Sequence, residues 1–209
     1  MPSQAELLPR LPRGRHRLSR EQVSESQRGR MLIAICEEMA EQGYIETSVA
    51  AVIGRAGVSR ETFYEHFDNK LECYLTAFDA GVEALTGTIA EAMGPTGPTL
   101  ERLDRGLAAY LRSLADEPAL ARTCMVESFA AGPRAIARRE LVQRRFVDLV
   151  SAALGASSRA DRFLCEALVA AISSMVTMRV GTGAIEELPG LREPIMELAG
   201  RLIGSGQPA

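Results

Sequence analysis

From Ser24 onward, apolar residues return every three to four positions, and that rhythm decides most of what the chain can become. Leu32, Ile35, Cys36 and Met39 fall at i, i+3, i+4 and i+7, which predicts a first helix stopping at Gly43. Val49, Val52, Ile53 and Ala56 repeat the spacing in a short second helix, capped by Thr47 or Ser48 and ended by Gly57. Ser59 then caps a third helix carrying Phe63, Tyr64 and Phe67. Asp68 is read as the cap of a long fourth helix, whose apolar face runs through Leu71, Leu75, Phe78, Val82 and Ile89. No segment alternates with period two between hairpin turns, so the expected fold is all-α.

The pattern continues to the C-terminal end. Gly94-Pro95-Thr96-Gly97-Pro98 breaks the fourth helix, and Thr99 opens a fifth that ends before Pro118. A shorter helix passes through Met125 and Phe129, and Gly132-Pro133 opens a seventh that reaches Leu154. Ser158 with Asp161 forms a capping box for an eighth helix, from Ala160 to about Val180, and a last helix covers Leu191 to Ile203. No stretch is read as a membrane span and nothing in the first thirty residues resembles a secretory leader, so a cytoplasmic location is expected, with no membrane partner.

Charge narrows the choice of partner. The net charge is −3, yet Arg10, Arg13, Arg15, Arg17, Arg20, Arg28 and Arg30 crowd the first thirty residues. A basic arm on an acidic body suits a nucleic-acid partner as well as solubility. The arm, taken as a flexible segment over 1–18, either lies along a DNA groove or is a solubilising tail. Arg134, Arg138, Arg139, Arg144 and Arg145 on the seventh helix read as a solvated face. The four cysteines stand singly in apolar patterns, with only two histidines in the chain, so reduced buried thiols are expected and no metal site. HExxH, the P-loop and GxSxG are all absent, and no catalytic residues and no cofactor are assigned.

The informative segment is Thr47 to Lys70, TSVAAVIGRAGVSRETFYEHFDNK. Two short helices joined by a tight Ala56-Gly57-Val58 turn make a helix-turn-helix, whose second helix fits the DNA major groove. This run, with Gly43-Tyr44 before it, resembles the signature of the tetracycline-repressor (TetR) family over about Gln27 to Phe78, an apolar helix followed by AGVS and TFYxHFxxK.

The resemblance implies roles residue by residue. Thr47 and Ser48 would donate to a phosphate, Tyr64 and His66 would contact phosphates, and Lys70 would add its charge at the start of the fourth helix. Arg60 and Thr62 would face base edges, although a phosphate would satisfy Arg60 equally well. Glu61 either reads a cytosine amino group or points away. The implied architecture is an N-terminal three-helix helix-turn-helix domain (19–69), joined through the fourth helix to a C-terminal ligand-binding and dimerisation domain (70–209).

A ligand pocket would lie among the fourth to eighth helices, with Phe78, Tyr110, Met125, Phe129, Phe146, Met175 and Met178 as candidate lining. Such a lining suits a mostly apolar effector, with Arg112, Glu127 or Arg179 as polar anchors. Ala167, Ala170, Ala171 and Ser174 on the eighth helix, and Leu191, Ile195, Leu198 and Leu202 on the last, would pack a homodimer or else close the monomer core. The expectation is a ligand-responsive regulator, acting as a repressor, that binds palindromic operator DNA. A helical adaptor without ligand control is the alternative.

Overall fold

The structure, a computed structural model, describes residues 19–204, with side chains through 201. The arm at 1–18 and the side chain of Leu202 lie outside the described residues. Ten α-helices and one 3-10 segment follow one another without a strand among the described residues. Helices α1 (Arg20–Glu46), α2 (Val49–Ala56) and α3 (Arg60–His66) form the head. The long α4 (Lys70–Met93) leads into α5 (Thr99–Asp116), α6 (Pro118–Met125) and α7 (Glu127–Ala130). Then come α8 (Pro133–Leu154), α9 (Arg159–Thr182), the 3-10 segment Ile185–Leu191 and α10 (Arg192–Gly204).

Helix α1 starts earlier than its apolar rhythm suggests, because Ser19 and Gln22 make a reciprocal capping box. Arg20, Arg28 and Arg30 therefore lie on this helix, past the arm expected over 1–18. Cap geometry also moves one boundary: the side chain of Asn69, not Asp68, accepts the Glu72 N–H and starts α4 at Lys70. The expected single helix through Met125 and Phe129 divides at Val126, which caps the end of α6 and the start of α7.

Two apolar cores are stacked along α4. The first gathers Met31, Ile35 and Met39 of α1, Val52, Phe63 and Phe67 of the head, and Tyr74 and Phe78 of α4, with Cys124 and Ala135 joining from the body. The second holds Leu85, Ile89 and Met93 of α4 with Leu111, Leu168, Val176 and Ile195. Between them α6 crosses α4 so closely that a Cβ on Gly81 would stand 2.4 Å from Leu120 Cδ1. The middle of α4 is thus sealed, and only its far end can open onto a space in the body.

The four cysteines are buried and unpaired. Burial pushes the Cys36 thiol up to about 11 and the Cys73 thiol to about 12, so both stay protonated and unreactive. The expectation that no stretch could span a bilayer fails for α9, whose 24 residues suffice by length and composition. Its exposed residues include Phe163, Leu164, Ala167, Ala170, Ala171, Ser174 and Met178, an apolar and small-residue set that lies beside the charged Arg159, Arg162 and Glu166.

Candidate DNA-binding head and effector chamber

The head is built from local caps. Ser48 accepts the Ala51 N–H and starts α2, and Ser59 accepts the Thr62 N–H and starts α3. Between them Gly57 takes φ +63°, ψ 44°, a left-handed conformation that costs a side chain about 1–2 kcal/mol. Its N–H closes on Ile53 O at 3.0 Å, while Arg30 Nη1 reaches across from α1 to Ala56 O at 2.7 Å. Arg30, one of the arginines that crowd the first thirty residues, thus ties down the turn between the two short helices. Arg55 does similar work behind α2, bonding Glu38 and Glu41 of α1 at 2.6 Å each.

On the outer side of α3, Arg60, Glu61 and Tyr64 are exposed. The Arg60 guanidinium lies over the Tyr64 ring at 5.5 Å and meets its hydroxyl at 3.4 Å, a pairing set by their four-residue spacing. Thr62 is half-exposed, its hydroxyl 2.9 Å from that of Ser59, and His66 is half-buried beside the Ser24 hydroxyl at 3.4 Å. Ser48 is exposed; as N-cap its oxygen accepts a backbone N–H and its own proton remains available.

Two of the residues assigned to phosphate are engaged internally. Thr47 is only 2% exposed, and its hydroxyl donates to Gly43 O at 2.8 Å. The Lys70 ammonium donates to Tyr44 O at 2.6 Å and Thr47 O at 2.7 Å, and sits 4.2 Å from the centre of the Tyr44 ring. Burial lowers its pKa, against the opposing charge of Glu46. The cause is Gly43, whose φ of +80° and ψ of 165° break α1 and leave carbonyls that Lys70 gathers. Replacing Lys70 with Met should lower stability by about 1–2 kcal/mol through those orphaned carbonyls. A thermal melt of the variant checks this, and an unchanged midpoint would show the contacts to be idle.

The same break frees the Tyr44 N–H, which donates to Glu127 Oε2 at 2.8 Å. Glu127 is 4% exposed and its other oxygen pairs with Arg122 at 3.0 Å. One residue, Tyr44, is therefore held on both sides, its N–H by the body and its carbonyl by α4, immediately before the segment that begins the helix-turn-helix.

The body contains a cavity of about 120 Å³. Ile89 and Met93 of α4, Gly106 and Tyr110 of α5, Phe146 of α8, Ile172 of α9 and Met196 of α10 are among its walls, and Tyr110 and Ser173 are the lining residues that carry a hydroxyl. Of the expected lining, Tyr110 and Phe146 are in place, their rings 6.1 Å apart. Met125 stands behind Tyr110, its sulfur 4.0 Å from the hydroxyl, and Met175 packs against the second core without reaching the cavity. Phe78 does not reach it either, since it is sealed in the first core below the crossing at Gly81. Phe129 and Met178, 56% and 65% exposed, border a separate surface depression with Arg139.

None of the three expected anchors lines the cavity. Arg112 is exposed, Glu127 holds Tyr44, and Arg179 pairs with Glu187 at 3.6 Å. The polar residue missed was Arg139, which had been placed on a solvated face. It is half-buried and donates to the carbonyls of Cys124 and Met125 and to the hydroxyls of Ser173 and Thr177. The signal was present in the spacing: Ala135, Arg139, Val142 and Phe146 share one face of α8.

A glycine-fixed pair of short helices, the second presenting Arg60, Glu61 and Tyr64 to solvent, defines a helix-turn-helix DNA-binding protein with a cavity-bearing helical body. Residues 32–77 match the family described as "Bacterial regulatory proteins, tetR family". Over that segment, which spans the end of α1, the helix-turn-helix and the start of α4, the chain is similar to this family of transcriptional regulators. It is 26% identical over 163 residues to the HTH-type transcriptional activator FasR of Mycolicibacterium smegmatis, covering 76% of this chain and 74% of that protein. The fold is similar to the fatty acid degradation regulator FadR of Bacillus halodurans (TM-score 0.74, 20% identity, 88% of this chain and 97% of that one). It is similar also to FadR of Bacillus subtilis, solved with stearoyl-CoA (TM-score 0.72, 19% identity, 83% and 96%).

Proposed function

We propose that the chain is a ligand-responsive regulator that binds palindromic operator DNA as a homodimer and is released by a small, mostly apolar molecule. The carrying observation is the cavity itself, whose wall includes Ile89 and Met93 of the same helix that begins beside α3 at Lys70. A molecule entering there displaces α4, and with it the clamp on Tyr44 and Thr47. The stearoyl-CoA held by the Bacillus subtilis neighbour supports a long aliphatic chain as occupant. The test is anisotropy of labelled DNA from upstream of the gene, with and without stearoyl-CoA. Release of the DNA by the ligand is expected, and binding indifferent to every acyl chain tried would sink the reading.

The proposed division is a head over 19–69 and a body over 70–209. On the head, Arg60 reads a base edge with Thr62 and Glu61 beside it, while Ser48, Tyr64 and His66 meet phosphates. Thr47 and Lys70 shape the backbone that presents them. Arg60→Ala should cost about 1–3 kcal/mol per half-site and flatten base preference at one position. Competition binding with single-base operator variants checks it, and an unaltered preference would return Arg60 to a phosphate role.

The apolar exposed residues of α9, together with Leu198 of α10, support a dimer made by helices from two chains. Such an interface should bury at least about 1,200 Å² in total. Sedimentation at micromolar concentration is expected to give a dimer, and a monomer there would refute it. This apolar surface is proposed to meet a partner chain rather than lipid, in keeping with a cytoplasmic protein. Repression is the proposed sign, because a dimer on its operator blocks polymerase by occupancy alone. In vitro transcription from the upstream promoter decides this against activation, the action of the FasR relative.

A further inference from the structure

Among the described residues, no carboxylate appears as a hydrogen-bond or ion-pair partner of the Arg139 charge. Nη1 donates to Cys124 O at 3.0 Å and Met125 O at 3.1 Å, and Nη2 donates to Ser173 Oγ at 3.0 Å and Thr177 Oγ1 at 2.9 Å. All four acceptors are neutral. The partial negative end of α6 helps to hold the guanidinium, and the Phe129 ring covers it at 5.2 Å. Neutral acceptors replace lost hydration only in part, so a half-buried cation in such a setting favours an arriving anion. Desolvation lowers the Arg139 pKa, which agrees with that unmet demand.

The position of this cation relative to the cavity is informative. Both hydroxyl-bearing residues of the cavity wall connect to it, Ser173 directly and Tyr110 through one sulfur. Ser173 lines the cavity and accepts from Arg139 directly. The Tyr110 hydroxyl meets Met125 Sδ at 4.0 Å, and the same sulfur lies 3.6 Å from Arg139 Nη1. On its other side Arg139 faces a surface depression edged by Phe129, Gln143, Thr177 and Met178. The one carboxylate there, Glu140, is exposed and paired with Arg144 at 3.5 Å.

We propose that Arg139 is the head-group site of the effector cavity, and that the effector is an aliphatic chain ending in an anionic group. The chain fills the apolar space, and the anion takes the guanidinium fork together with the Ser173 and Thr177 hydroxyls, which can turn from acceptors to donors. This rests on the cavity being the effector site. A neutral hydrophobe would occupy the same space without engaging Arg139.

Calorimetric binding of dodecanoate, dodecyl phosphate and dodecanol to the full chain tests the proposal. Wild type should prefer at least one anion over the alcohol by tenfold or more, and the preferred anion identifies the head group as carboxylate or phosphate. Arg139→Gln should erase that preference while leaving dodecanol affinity unchanged, which a merely structural loss would not do. If Arg139→Gln fails to fold, Ser173→Ala and Thr177→Ala replace it, and the preference should fall in each. A wild type that binds all three alike, or a preference that survives these substitutions, overturns the head-group site. A wild type that binds none of the three refutes the cavity as effector site, and the head-group site with it.

Discussion

Phe63→Ala is expected to lower the unfolding free energy by about 3–5 kcal/mol, because it empties a fully buried ring site at the centre of the head. Phe63 packs edge-on against Tyr64 at 5.4 Å and tilted against Phe67 at 5.6 Å, inside a core shared with Met31, Ile35 and Val52. In a chain of this size each kcal/mol moves the melting midpoint by about 2–4 °C, so a fall of about 6–20 °C should appear in a thermal scan. DNA binding should fail with it, since α3 has seven residues and no other fully buried side chain to hold it. Tyr64→Phe, which keeps the ring at an exposed position, serves as control and should melt as wild type. A loss below about 1 kcal/mol for Phe63→Ala would mean that the head closes around the gap, contrary to the packing seen.

The head was legible because its determinants are local. Ser48, Gly57 and Ser59 act within one turn of where they stand, and cap chemistry with the 3.6-residue period is enough to find them. The cap of α4 was misread by one residue because Asp68 and Asn69 are both competent caps, and only the backbone decides which accepts the Glu72 N–H. What the sequence concealed were contacts over long separations. Lys70 meets Tyr44 and Thr47 across more than twenty residues, and Glu127 meets Tyr44 across 83. No period reports such pairs. Charge alone points to solvent or to DNA, so Lys70 is expected at a phosphate and Arg139 on a solvated face, although each caps backbone carbonyls within the protein. Phe78 failed differently. Its face of α4 was read correctly as apolar, but the crossing of α6 at Gly81, invisible to periodicity, assigns that face to the first core.

Glu127→Ala is expected to separate effector binding from DNA release. The carboxylate joins the body to the broken end of α1 through the Tyr44 N–H, and the backbone just before it, at Cys124 and Met125, is held by Arg139 beside the cavity. Under the proposed function, two chains of contacts join the cavity wall to Tyr44, one through α4 and Lys70 and one through the α6–α7 junction and Glu127. Removing the carboxylate orphans a half-buried N–H and strips Arg122 of its partner. The cost should be about 2–3 kcal/mol, below that of a fully buried pair because Arg122 keeps a third of its surface in water. Couplings between such sites are usually about 1–3 kcal/mol, or about 5–150-fold in affinity, and linkage requires DNA to weaken the effector by the same factor. In Glu127→Ala that factor should fall toward one in both directions while each ligand alone still binds, because the residue touches neither the cavity nor the outer side of α3. Glu127→Gln separates the two contributions: its amide oxygen can still accept the Tyr44 N–H, so coupling should persist even as the Arg122 pairing is lost. Titrating stearoyl-CoA against each variant with and without operator measures the factor directly. Full wild-type coupling in Glu127→Ala would leave α4 and Lys70 as the whole of the transmission path.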